Sequence, residues 1–144
     1  METSTRPRVA IVLLVAWVLI QTTRLGAFTL AQSVLAGAEA DAWLFPAFVD
    51  VFVGITAPFL AFALWKKTGL GVWVAALIWF AISLMDHFDA ITAAFVTASN
   101  IPQSLGGTLV QALTVLLLLT LIDIIAVFAL TGRKLKSYYL APRS

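Results

Sequence analysis

Hydrophobic positions along the chain gather into four long blocks, at about 9–31, 42–64, 70–94 and 108–130, each interrupted by few polar residues. A helix rises 1.5 Å per residue, so about 20 mostly apolar residues cross a hydrocarbon core ~30 Å thick. Backbone N–H and C=O groups inside lipid must pair internally, which selects helices for these blocks. A small β-barrel needs strands of alternating polarity, and the unbroken leucines at 116–119 contradict alternation. Pro7 sits where a first helical turn tolerates a missing N–H. Gly69 and Gly71 stand at the start of the third block, and Gly132 follows the fourth.

The connections are short and differ in composition. Residues 32–41 hold Glu39 and Asp41 and no base, 65–69 read Trp-Lys-Lys-Thr-Gly, and 99–104 contain the loop formers Asn100 and Pro102. Short connections force successive helices to run antiparallel. The pattern predicts an all-α integral membrane protein, with four transmembrane helices in an up-down-up-down antiparallel bundle. No internal repeat is present, and 1–144 reads as a single domain.

Composition narrows the class further. Of 144 residues, 62% are hydrophobic and 11% charged, against roughly 45–50% and about 25% in soluble domains. Soluble, disordered, fibrous and coiled-coil classes are excluded, and the lipid bilayer is the first expected partner. A formal net charge of +2 is too small to imply a nucleic-acid partner. The lack of cysteine removes disulfides, thiolate metal sites and thiol nucleophiles.

Charge also orients the chain. Arg6, Arg8, Lys66, Lys67, Arg133, Lys134, Lys136 and Arg143, eight of the nine basic residues, fall on one side of a four-span bundle. Cytoplasmic loops carry the Lys/Arg excess, so both termini are expected in the cytoplasm, and the location is expected to be a cytoplasmic (inner) membrane. Trp43 at one end and Trp65, Tyr138 and Tyr139 at the other are expected at the interfaces, and the basic tail from Arg133 against anionic headgroups. A signal peptide ending at Ala38-Glu39-Ala40 fits poorly, because Arg24 interrupts its apolar stretch and the site lies far beyond Ile20. No cleavage is expected.

Inside the blocks stand Arg24, Asp50, Asp86, His87 and Asp123, with Asp89 close by. A charge at a helix centre costs about 2.5–3.5 kcal/mol on insertion scales, so each calls for a partner or water. Counted along the helices, Arg24 lies ~22 Å from the cytoplasmic face, and Asp86 and His87 ~24–26 Å. Asp50 lies ~10 Å below the opposite face by the same rise. These four share the outer half of the bilayer, where Gln21 and Gln111 also fall. At 100° per residue, Asp86 and Asp89 point within about 60° of each other, while His87 and Asp89 diverge by about 160°. Arg24 extends the stripe Trp17-Gln21-Arg24-Phe28, and Asp86 the stripe Trp79-Ser83-Asp86-Ala90. Asp50 shares a small-residue stripe with Gly54, Ala57 and Ala61, which admits a close helix neighbour. Pro58 is expected to kink its helix and free a carbonyl. Asp123, ~10 Å from the cytoplasmic face, is expected to attract a snorkelling Lys66 or Lys67.

The buried charges have two readings. They fix helix register as a buried ion pair, or the surplus carboxylates beside a single Arg24 form a ligand, ion or proton site. The candidate binding or proton-exchanging residues are Arg24, Asp50, Asp86, His87, Gln21 and Gln111, with Asp89 and Asp123 in second rank. No catalytic residue is assigned. Asp86-His87-x-Asp89 has ligand types for a divalent metal, but His87 points away from Asp89 and no metal is expected. One histidine excludes bis-His haem, and Lys66 and Lys67 sit at a helix end, unsuited to a retinal Schiff base. No P-loop, G-x-S-x-G, H-E-x-x-H or dinucleotide fingerprint is present, and no cofactor is expected.

Three functions follow in order. The first is binding or transport of a small molecule, ion or proton at the outer polar site, with a homo-oligomer compatible with transport. The second is an accessory or structural subunit of a larger membrane complex. The third is a membrane-embedded enzyme using Asp86 or Asp50 as acid or base on a lipophilic substrate.

Overall fold

The computed structural model of the chain describes residues 7–141, which contain helices and no strand. Arg6 and Arg143, two of the flanking cations, lie outside the described residues. The order is α1 (Arg8–Ile20), a 3-10 stretch Gln21–Gly26, α2 (Ala27–Leu35), α3 (Leu44–Lys66), α4 (Leu70–Val96), α5 (Leu109–Thr131) and α6 (Arg133–Leu140). Single 3-10 turns, Asp41–Trp43 and Gln103–Leu105, precede α3 and α5. Four segments are long and apolar enough to cross a membrane: Arg8–Leu35, Asp41–Lys66, Leu70–Val96 and Leu109–Thr131. The four expected blocks are therefore present, each longer or shifted by a few residues.

The first span is not one uniform α-helix. Between α1 and α2 the chain tightens into 3-10 geometry, a form used in short pieces. Thr23 Oγ1 donates to the Ile20 carbonyl at 2.8 Å, and Thr29 Oγ1 to the Gly26 carbonyl at 2.7 Å. Side-chain bonds of this kind compete with the regular backbone ladder. Arg24 is in this stretch, so the irregular segment carries the charge.

The central pair is α3 and α4. The first span packs along α3, α5 packs along α4, and α3 runs through Pro58 as a single helix. Close approach at the first contact depends on Gly54: a Cβ there would stand 2.8 Å from the Leu25 backbone nitrogen. Ala57 and Ala61 on the same stripe are buried. Gly69, with φ +122°, lets the chain turn between α3 and α4 where other residues would be strained. Its N–H donates to the Tyr139 carbonyl at 2.8 Å.

The basic tail from Arg133 folds back instead of lying free. Leu135 and Tyr139, one turn apart on α6, are buried, and Tyr139 Oη donates to the Leu64 carbonyl at 2.8 Å. Lys136 stays exposed with its ammonium 5.7 Å above the Trp73 ring. Tyr139 is thus buried within the protein at the basic end. Trp43 likewise is buried, its indole N–H donating to Thr97 Oγ1 at 2.9 Å. In both, the polar tip of a buried aromatic ring finds a hydrogen-bond partner inside the fold.

Buried apolar residues form two clusters. One joins Ile11, Val18, Leu60, Leu64, Phe80 and Leu130 with Leu135 and Tyr139; the other joins Val34, Trp43, Ala94, Ile101, Ala112 and Leu116. We call these the basic end and the acidic end, after Lys66–Lys67 and Glu39–Asp41. On the first span, α4 and α5 the buried polar residues fall in sequence between the two clusters, as does the partly exposed Asp50 on α3.

Candidate functional site

Arg24 brings the site together. From the 3-10 stretch its guanidinium reaches two other spans, with Nε donating to Asp50 Oδ1 on α3 and Nη2 to Asp86 Oδ2 on α4. The third nitrogen, Nη1, donates to Ser83 Oγ at 2.6 Å, one turn before Asp86. A planar fork with five N–H donors serves three acceptors in one orientation, which an ammonium on a flexible stem does not. The Asp50 side chain is 30% exposed and that of Asp86 2%.

Ser83 passes the contact on. Its hydroxyl donates to Asp123 Oδ2 at 2.6 Å, and Trp17 Nε1 donates to Asp123 Oδ1 at 2.7 Å. Asp123 is fully buried. The expected pairing with Lys66 or Lys67 does not occur, since both lysines are exposed. Counting depth from one helix end left out how α5 is set against α4. Trp73 Nε1 donates to the Leu130 carbonyl at 2.9 Å, and with that register Asp123 comes level with Ser83. Asp123 therefore belongs to the Arg24 layer rather than to a separate inner position.

His87 is buried beside the layer. Its Nδ1 stands 3.8 Å from Asp123 Oδ2, beyond hydrogen-bond reach, and neither ring nitrogen has a partner. Adjacent residues on α4 thus turn to different neighbours, Asp86 to the first span and His87 towards α5. Gln21 is buried, with its Nε2 unpartnered. Asp86 Oδ1 is a further buried acceptor without a donor.

Two of the candidates stand away from this layer. Gln111 is exposed near the start of α5, where its side chain accepts from Thr108 Oγ1 at 2.8 Å and its backbone N–H donates to the same hydroxyl. It serves the helix cap, a local use that its polarity did not distinguish from a site role. Asp89 is exposed, one turn beyond Asp86 towards the acidic end. Ser83 and Trp17, the two residues that complete the network, lie on the stripes of Asp86 and Arg24. Stripe membership was the only signal that pointed to them.

A cavity of about 190 Å³ borders the layer on its acidic-end side, lined by Arg24, Asp50, Asp86 and His87 and by apolar groups including Leu30, Trp43 and Leu116. Among the described residues no three His, Cys, Asp or Glu side chains group to hold a metal ion. Chemically, the layer offers a fixed guanidinium, three carboxyl groups, a hydroxyl bridge and an imidazole, all at one level of the bundle. Comparison with family models, with curated proteins and with solved structures finds no match for the chain.

Proposed function

We propose that this chain is a small integral membrane protein that binds a small cation or proton in its polar layer and exchanges it with the phase at the acidic end. One observation carries the reading: a single buried guanidinium faces Asp50 and Asp86 directly and Asp123 through Ser83. One positive charge balances one carboxylate, so the remaining carboxyl groups call for a proton or a bound cation. The half-open Asp50 and the adjoining cavity provide the way in. The spans run up-down-up-down, with both termini in the cytoplasm and the acidic end outside, in keeping with the basic residues at one end. Transport across the membrane would require the basic-end cluster to open.

Methylammonium chloride is the probe. Added to the purified protein, it raises the thermal unfolding midpoint saturably, as any ligand specific for the native state does. Asp86→Asn folds and loses the response. No shift with methylammonium, sodium or potassium, together with no proton flux into proteoliposomes, overturns the reading.

A second reading, a structural subunit of a larger membrane complex, is favoured by a different observation. Phe45, Phe48, Phe52, Ile55, Phe59 and Phe62 form an exposed seam along α3 at spacings of three and four. In that case the buried charges only hold helix register, and the protein purifies with partner subunits and binds no cation.

A further inference from the structure

The bundle is packed on three sides and loose on the fourth. The first span packs along α3, α3 along α4 and α4 along α5, but the first span and α5 share no comparable packing. What spans that gap is the bond from Trp17 to Asp123. A cavity lies on either side of it. Towards the acidic end is the polar cavity, which has Ala27 and Leu30 of α2 on one wall and Leu116 and Leu119 of α5 on the other. Towards the basic end is a groove of about 230 Å³ between Ala10, Leu13 and Leu14 of α1 and Ile125, Ala126 and Ala129 of α5. Leu13 and Ile125 are exposed, so the groove opens on the lipid-facing surface.

The two cavities differ in chemistry and line up along one seam. The groove is walled by hydrocarbon, with Trp17 at its upper edge. The polar cavity holds the carboxyl groups, including the buried and unpartnered Asp86 Oδ1. We propose that this seam is a lateral entrance from the bilayer, and that the ligand is an amphiphile with an ammonium head and an alkyl tail. The head lies against Asp86 and Asp50, where negative charge is in surplus over Arg24. The tail lies in the groove beside Ala126, and the Trp17–Asp123 bond is the threshold between them. The proposal rests on the cation reading of the polar layer and adds the tail and the route.

Dodecylamine, dodecyl sulfate and methylammonium, each added to the protein in a non-ionic detergent, test it by native mass spectrometry and thermal shift. The expected result is retention of dodecylamine but not dodecyl sulfate, with about tenfold or greater preference over methylammonium, since two buried methylene groups suffice for that factor. Ala126→Trp fills the groove and removes the preference while methylammonium binding persists; Ala129→Phe serves if the tryptophan variant does not fold. Asp86→Asn loses both amines. Equal binding of dodecylamine and methylammonium, equal retention of the sulfate, or an unchanged preference in both groove variants overturns the lateral route and leaves the cation site standing. Binding of neither amine by the unaltered protein removes the cation site as well.

Discussion

Arg24 holds three acceptors on two helices, and the worth of each contact depends on what remains when it is cut. Removing the guanidinium leaves two carboxylates facing one another with no counter-charge. Breaking a buried pair in this way costs about 3–5 kcal/mol, so Arg24→Gln is expected to unfold at far lower denaturant than the parent in mixed micelles. Adding Asp86→Asn to that variant restores part of the loss, because the two residues share one network. Ser83→Ala is milder, at about 1–3 kcal/mol, since it leaves Asp123 with Trp17 alone and Arg24 Nη1 without its acceptor. An unchanged unfolding midpoint in Ser83→Ala would show that the hydroxyl bridge is not formed. The charged members of this network were legible in the sequence, because an ionisable residue inside an apolar block stands out. Ser83 was not. Neutral hydroxyls in apolar helices commonly bond their own carbonyls, as Thr114 does to Val110, and nothing local separates a bridging serine from these.

At the level of elements, the four spans could be read to within a few residues from hydropathy alone, because length and apolar character are all that a bilayer asks of a helix. The 3-10 stretch Gln21–Gly26 was hidden, since its residues are as compatible with an ordinary helix as with a tightened one. The stretch is in close tertiary contact: the Leu25 backbone lies against Gly54 of α3. Gly54→Val is therefore expected to push the stretch outward and pull Arg24 from Asp50 and Asp86. The variant should lose about 1–3 kcal/mol, the usual range for overpacking, and should lose cation binding with it. Full stability and binding in Gly54→Val would mean that the contact is not needed. The docked α6 was equally hidden. Its eight residues carry only a few apolar side chains among four polar or charged ones, and burial of Leu135 and Tyr139 depends on the turn at Gly69 that receives them.

Across the whole molecule, the buried charged groups occupy a single level, with an apolar cluster towards each end and a cavity on the acidic-end side. The meeting of Arg24 with Asp50 and Asp86 could be read from positions along separate helices, but the level of Asp123 could not, because it arises from how α5 is set against α4. The proposed topology can be checked with the chain's own composition, which has no cysteine. Ser99→Cys should react with an impermeant maleimide added outside intact cells, and Lys67→Cys only after the membrane is opened. The reverse pattern would invert the protein. The 3-10 stretch has one more effect, on how the molecule meets its surroundings. At about 2.0 Å per residue in that stretch and 1.5 Å elsewhere, the first span is about 45 Å long, against about 34 Å for α5. A span that overshoots a ~30 Å hydrocarbon layer tilts, and a thicker layer draws it upright. Since that span carries Arg24 while the carboxylates stand on its neighbours, bilayer thickness bears directly on the ion pairs. Stability and cation affinity should therefore change together across a series of lipids of increasing acyl length, with the protein acting as a gauge of the sheet in which it sits.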